Sequence, residues 1–100
     1  GPKLYAALSA LPGFEAYLDW GGGLIWLATD AKGDAGEAAI RAAVTSHGGH
    51  ATLIRAPAAI RAAVPVFQPL DAGVMALQAR IKNSFDPESI LNPARMYEGV

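Results

Sequence analysis

Residues 15–29 read EAYLDWGGGLIWLAT. Aromatic and branched side chains crowd both sides of Gly21-Gly22-Gly23, and glycine enters the positive-φ conformations of tight turns without steric cost. The stretch predicts a β-hairpin with strands over 15–20 and 24–29 joined by the three glycines. Leu24-Ile25-Trp26-Leu27 is apolar throughout rather than alternating, so the second strand is expected to be covered on both faces.

Upstream of the hairpin, Leu4, Leu8 and Leu11 recur at helical spacing and Pro12-Gly13 stops the run, which predicts a short helix over 3–11. Gly1-Pro2 reads as the scar of a cleaved tag, leaving 3–100 as the domain. Downstream, a polar loop over 30–33 leads to Asp34, which with Glu37 three residues later forms a capping box opening a second helix. Ile40, Ala43, Val44 and His47 share one face of that helix, Glu37 and Arg41 form an i,i+4 pair, and Gly48-Gly49 supplies the C-cap. Residues 50–55 alternate and are closed by Pro57, as expected of a third strand. One or two helical turns over 58–64 and a loop over 65–69 follow. Asp71 caps a last helix reaching about Phe85, with Val74, Leu77, Ile81 and Phe85 on its buried stripe and Gln78 and Lys82 toward solvent.

The order helix, strand, strand, helix, strand, helix, tail is that of an α+β protein. It matches a ferredoxin-like (split βαβ) antiparallel sheet with helices on one face, its first strand missing, plus a C-terminal helix and tail. The missing strand is central in the complete arrangement, and its loss leaves unpaired edges. Either the last strand closes the gap or two chains exchange elements. After Asp86-Pro87 ends the helix and Asn92-Pro93 ends the next turn, Arg95, Met96 and Tyr97 have no element left to pack on. Such a tail is expected to dock on something else.

Composition narrows the function. One hundred residues form one domain. Apolar residues make up 52 % of the chain, but alanine supplies much of that, so the core is expected to be thin. A net charge of -1 gives no footprint for nucleic acid or for an anionic membrane. No cysteine is present, which excludes disulfides, cysteine-ligated zinc and thiol catalysis and fits a reducing compartment. No apolar run reaches the roughly 18 to 20 residues of a transmembrane segment.

No constellation is a self-sufficient active site. His47 and His50 lie three residues apart but lack further histidine or cysteine ligands, so they read as a helix-end and a strand-start residue, and no metal is expected. The glycine loop lies between strands, with no helix N-terminus or following lysine to cradle phosphate. Ser9, Ser46, Ser84 and Ser89 have no organised base, Asp30 and Asp34 read as loop and cap, and no residue is assigned a catalytic role.

The pattern Lys82-x-x-Phe85-Asp86-Pro87-x-x-Ile90-x-Asn92-Pro93-x-Arg95-Met96-Tyr97 resembles the C-terminal signature of FAD-linked oxidases of the vanillyl-alcohol oxidase superfamily. Gly48-Gly49-His50-Ala51-Thr52-Leu53, and Asp19-Trp20-Gly21-Gly22 followed by Trp26-Leu27, resemble the E subunits of bacterial glycolate oxidases within it. The likeness spans roughly residues 11–97. It implies a heteromeric, FAD-dependent 2-hydroxy-acid oxidoreductase that oxidises glycolate to glyoxylate by hydride transfer to flavin. The chain would be its C-terminal cap domain, with FAD held chiefly by an N-terminal domain and no cofactor expected on these residues alone. The implied partners are that N-terminal FAD-binding domain and the other glycolate oxidase subunits, with a second copy of the chain as a further candidate. The implied location is cytoplasmic, with peripheral attachment to the inner membrane as the alternative. By the same likeness, Asn92, Pro93 and Arg95 lie at the flavin-domain contact, and His50 or Arg55 faces the space over the isoalloxazine ring. The family commonly has glycine where this chain has Ala94, and alanine makes a positive φ or close backbone approach costlier there. The competing reading is a free-standing ferredoxin-like module that binds a ligand or partner through its sheet edge.

Overall fold

In the computed structural model, which describes residues 1–30 and 32–100, β1 (Glu15–Asp19) and β2 (Leu24–Ala28) form an antiparallel hairpin. Glu15 faces Ala28, Tyr17 faces Trp26 and Asp19 faces Leu24. The strands stop one residue short of the expected ends. Asp19 accepts the Trp20 amide at 2.7 Å, and Trp20 takes a left-handed φ of 51°, so the link is a short 3₁₀ turn (Trp20–Gly22) plus Gly23 rather than three glycines. A side chain that captures its neighbour's N–H competes with the ladder for it. Burial along β2 alternates: Ile25 and Leu27 are half-buried, whereas Leu24 and Trp26 are each 38 % exposed. Only one face of the strand is covered.

Helix α1 (Pro2–Leu8) starts on a proline, whose fixed φ and missing N–H suit a first helical position. Its Leu8 is buried, and Leu4 and Leu11 are half-buried, as the spacing predicts. Beyond α1, Gly13 has a φ of +66°, and a Cβ there would lie 2.3 Å from Asp30 Oδ1 and 2.9 Å from the Asp30 nitrogen. The Asp30 amide donates to Pro12 O at 3.1 Å, so this turn pins the end of the hairpin to the end of α1. The loop expected over 30–33 includes Ala31, which lies outside the described residues.

Helix α2 (Glu37–Ser46) starts three residues after Asp34, with Gly36 as its N-cap. Asp34 still caps it, accepting the Gly36 and Ala38 amides at 3.0 Å each. Those two amides, Ala38 first, hold the Asp34 carboxyl below its usual pKa. Glu37 pairs with Arg41 rather than closing the capping box. At the other end, Gly49 N–H donates to Val44 O at 3.0 Å and Gly48 N–H to Thr45 O at 3.2 Å, with Gly48 left-handed at 75°. This is the Schellman pattern that two glycines after a helix suggest.

Residues 50–55 do not join the sheet. Thr52 forms an isolated antiparallel bridge with Phe67, and Leu53 N–H donates to Val66 O at 2.9 Å. Pro57, Pro65 and Pro69 bound the two segments and offer no N–H, so the ladder cannot extend. The class is α+β: among the described residues a two-stranded antiparallel sheet and four helices are compatible with a split βαβ unit. Within one chain the expected last strand pairs with neither β1 nor β2.

Helix α3 (Ala58–Ala63) contributes Ile60, and Val64 follows it; with Leu8 and Val44 they are the buried hydrophobic residues among those described, none below 3 % exposure. The core is as thin as the alanine content implies. The accessible surface is 7289 Å², against ~5,400 Å² for an ordinary folded chain of this mass. The radius of gyration of 15.7 Å likewise exceeds the ~13 Å typical of 100 compact residues. The excess, ~1,900 Å², is more than twice the ~800 Å² that one partner buries in a standard protein interface.

Candidate functional site

Helix α4 (Ala72–Phe85) opens as expected, with Asp71 accepting the Val74 amide at 3.0 Å. Its faces are reversed from expectation. Val74, Leu77 and Ile81 are exposed, Phe85 is 85 % exposed, and the half-buried side consists of Met75, Gln78, Ala79 and Lys82.

The reversal has a local cause at the helix end. Asp86, only 4 % exposed, accepts Lys82 Nζ at 2.5 Å, the Ile90 amide at 3.0 Å and the Leu91 amide at 2.9 Å. Lys82 also donates to Leu91 O. Lys82 must therefore turn inward, and the residues one and two turns before it turn with it. The Lys82 ammonium, followed by the Leu91 and Ile90 amides, holds the Asp86 carboxyl below its usual pKa. The Asp86-Pro87 stop was legible; the carboxylate's role as the hub of the next turn was not. The Lys-x-x-x-Asp spacing at a helix end is the signal that points to it.

A second hub, Gln68, carried no recognisable signal. Its Oε1 accepts the Ala51 amide at 2.8 Å, its Nε2 donates to Thr45 Oγ1 at 3.3 Å, and its carbonyl accepts the Tyr97 hydroxyl at 3.3 Å. Phe67 and Tyr97 add a ring contact at 6.0 Å. Gln68 thus ties the end of α2, the segment after it and the tail together. The tail returns to the Phe67-Gln68 segment through Tyr97 and adds no strand to the β1–β2 sheet.

This hub gathers only some of the expected site residues. His50 adjoins Ala51 and Arg95 lies two residues before Tyr97, so Gln68 brings their segments together. Arg55 has no such link. Asn92, Pro93, Arg95, His50 and Arg55 are all exposed, and among the described residues the His50, Arg55 and Arg95 side chains form no hydrogen bond or ion pair. Asn92 is left-handed at 46° and its carbonyl accepts the Arg95 amide at 3.3 Å, so Asn92-Pro93 forms a turn. Ala94, where glycine is common in the resembled family, is left-handed at 55°. Two surface depressions lie elsewhere, one along Glu15–Tyr17 and Trp26–Ala28, the other along Leu77, Arg80, Ile81, Ser84 and Phe85. The His50, Arg55 and Arg95 side chains leave donors for a group presented by another domain, but the five residues build no concave wall that would hold a dinucleotide by themselves.

Other reactive groups are engaged in structure. Ser46 Oγ donates to Ala43 O at 2.8 Å, and His47 Nδ1 lies 2.7 Å from the same carbonyl, so this adjacent Ser-His pair caps a helix end, and no third group among the described residues orients it. Among the described residues no cluster of three metal-ligating side chains occurs, and no helix is long and apolar enough to cross a membrane.

No family model matches the chain, and no solved structure matches it. Glycolate oxidase subunit GlcE of Escherichia coli is 36 % identical over 92 residues, which is 92 % of this chain. The chain spans 23 % of that relative's length. By sequence it is similar to a C-terminal part of a glycolate oxidase E subunit, the same likeness that its motifs between Asp19 and Tyr97 suggest.

Proposed function

We propose that this chain is the C-terminal cap domain of an FAD-dependent 2-hydroxy-acid oxidase that converts glycolate to glyoxylate. The observation that carries the reading is the similarity of nearly the whole chain to under a quarter of a glycolate oxidase subunit. The outward apolar stripe of α4 and the surface excess support it, since both fit a domain that packs against the rest of a larger protein. In this reading the chain does not hold FAD. Bound flavin supplies the hydride acceptor. Asn92, Pro93 and Arg95 contact the flavin-binding domain, and His50 or Arg55 faces the substrate space. A free guanidinium is suited to hold a 2-hydroxy-acid carboxylate in a bidentate pair.

The test compares the full-length protein with a form truncated after Asn83, measuring flavin content and glycolate-dependent bleaching of the flavin. Loss of both on truncation is expected, and these 100 residues alone should show no flavin absorbance. Tight, stoichiometric FAD binding by this chain would overturn the assignment. The anchoring of Tyr97 on Gln68 favours a second reading, an independent partner-binding module whose tail is its own. Full turnover of the truncated enzyme supports that alternative.

A further inference from the structure

The outward face of the hairpin carries chemistry that the oxidase reading does not use. Glu15, Tyr17 and Asp19 alternate along β1 and project to one side, and their ladder partners Ala28, Trp26 and Leu24 project to the same side. All six are exposed. The Tyr17 and Trp26 rings lie 6.2 Å apart with planes 21° from parallel, and Tyr17 is 62 % exposed. Together they form an aromatic platform open to solvent. Glu15 and Asp19 flank it, neither forms an ion pair among the described residues, and no lysine or arginine occurs between Lys3 and Lys32. Asp19 accepts the Trp20 amide and, at 3.4 Å, the Trp26 indole N–H, which fixes its carboxylate beside the platform.

Charge selects the occupant. Two carboxylates repel a 2-hydroxy carboxylate or a phosphate, whereas a guanidinium is attracted to them and stacks on the rings. The backbone supplies the rest. Among the described residues β1 pairs only with β2, and in a complete split βαβ sheet the central strand would lie beyond β2, leaving β1 as the outer edge. We propose that the free edge and aromatic face of β1 dock an extended, arginine-bearing segment of a protein partner. The segment adds to β1 as a strand, and its alternate arginines lie over Tyr17 and Trp26 between Glu15 and Asp19. Alternate residues of a strand are spaced ~6.8 Å apart, so an Arg-x-Arg pattern keeps step with Glu15, Tyr17 and Asp19. This inference stands apart from the flavin reading, and its test involves no flavin.

Both tryptophans of the chain, Trp20 and Trp26, lie in this hairpin, so intrinsic fluorescence reads the site directly. The chain is titrated at low salt with the end-blocked peptides Arg-Thr-Arg-Thr-Arg and Glu-Thr-Glu-Thr-Glu. A saturable change in emission is expected with the first and none with the second. Affinity should fall at least about threefold in Glu15→Gln/Asp19→Asn and in Tyr17→Ser, each checked for an unchanged circular dichroism spectrum. If the double variant fails to fold, Tyr17→Ser carries the test alone. Equal binding of both peptides, no saturable response to the arginine peptide, or unchanged affinity in the folded variants overturns the proposal. So does self-association in sedimentation velocity that Tyr17→Ser abolishes, because the face would then belong to a second copy.

Discussion

Helices α2 and α4 are both alanine-rich and both carry an apolar stripe, yet they treat it in opposite ways. In α2 the stripe packs inward: Val44 is buried, and Ile40 and Ala43 are half-buried. In α4 the longer stripe of Val74, Leu77, Ile81 and Phe85 faces out, and no residue of the helix is fully buried. Propensity does not separate them. The difference lies in what each helix end is tied to. Around α2, Asp34 and the Gly48-Gly49 cap bond only to α2 itself and its flanks, so the apolar face is free to find α1. At α4, Lys82 and Asp86 take the inward side to hold the Ile90-Leu91 turn, and the apolar face is left exposed. An amphipathic pattern thus identifies the face that is to be buried without saying whether its partner lies in the same chain.

The largest test of this contrast pairs a residue from each region. Leu8→Ala empties a site that is 3 % exposed and should cost about 3 kcal/mol by urea denaturation. Leu77→Ser changes a side chain that is 52 % exposed and should shift stability by no more than about 0.5 kcal/mol. Equal losses for the two would show that α4 packs inward and would dissolve the comparison. If the chain is the proposed cap domain, Leu77→Ser should become costly in the longer protein, where the stripe would be covered.

Next in size is Gly13→Ala. A left-handed alanine costs ~1–2 kcal/mol, and the displaced Asp30 adds to that, so a loss of about 2 kcal/mol is expected. The same change at Gly21, also left-handed but with no atom within 4 Å of the added Cβ, should cost less. The difference between them measures the close approach that ties α1 to the hairpin.

These sites also mark how far the sequence could be read. The hairpin, the Asp34 and Asp71 caps and the Gly48-Gly49 end depend on residues within a few positions of one another, and local rules found them; the first helix, expected to run to Pro12-Gly13, ends earlier, at Leu8. The two-stranded limit of the sheet was missed because alternation over 50–55 reports exposure of two faces but not the partner strand, and the partner here is a short segment between prolines. The α4 reversal was missed because hydrophobic periodicity ranks faces by apolar content, whereas Lys82 is drawn inward by a buried carboxylate. Gln68 joins three segments across 17 to 29 positions, and nothing local betrays that. The tail residues Asn92, Pro93 and Arg95 were singled out through a family pattern, not through chemistry visible in the chain.

Asp34 and Asp86 put the comparison on a titration. Both carboxyls sit below the usual value of 3.8, Asp34 through helix amides and Asp86 through Lys82 and the next turn. A depressed folded pKa means that the stabilisation is fully present above the unfolded value and is lost as pH falls through the folded one. Unfolding measured from pH 5 downward should therefore show declining stability below about pH 4, with a flatter profile in either Asp34→Asn or Asp86→Asn. The two variants should differ in what else moves. Tail amides, read by hydrogen exchange at Ile90 and Leu91, should lose protection only in Asp86→Asn. Equal loss in both variants would mean that the lock does not act on the tail.

The smallest effect bears on the tail itself. Ala94 holds a φ of 55° while its N–H donates to Val100 O at 2.9 Å, and Tyr97 three residues on is anchored to Gln68. The left-handed conformation costs alanine ~1–2 kcal/mol, and glycine in its place gives back roughly 0.5–1 kcal/mol through the entropy of the unfolded chain. Ala94→Gly should then stabilise the chain by about 0.5 kcal/mol, seen as a higher urea midpoint with an unchanged slope. The sign is diagnostic because Gly substitution at an ordinary φ is destabilising. A rise in midpoint says that the turn around Ala94 is held left-handed by Val100 and Tyr97. A fall says that the chain does not enforce this φ, that the tail takes its shape only on the surface it docks against, and that it belongs with the outward face of α4.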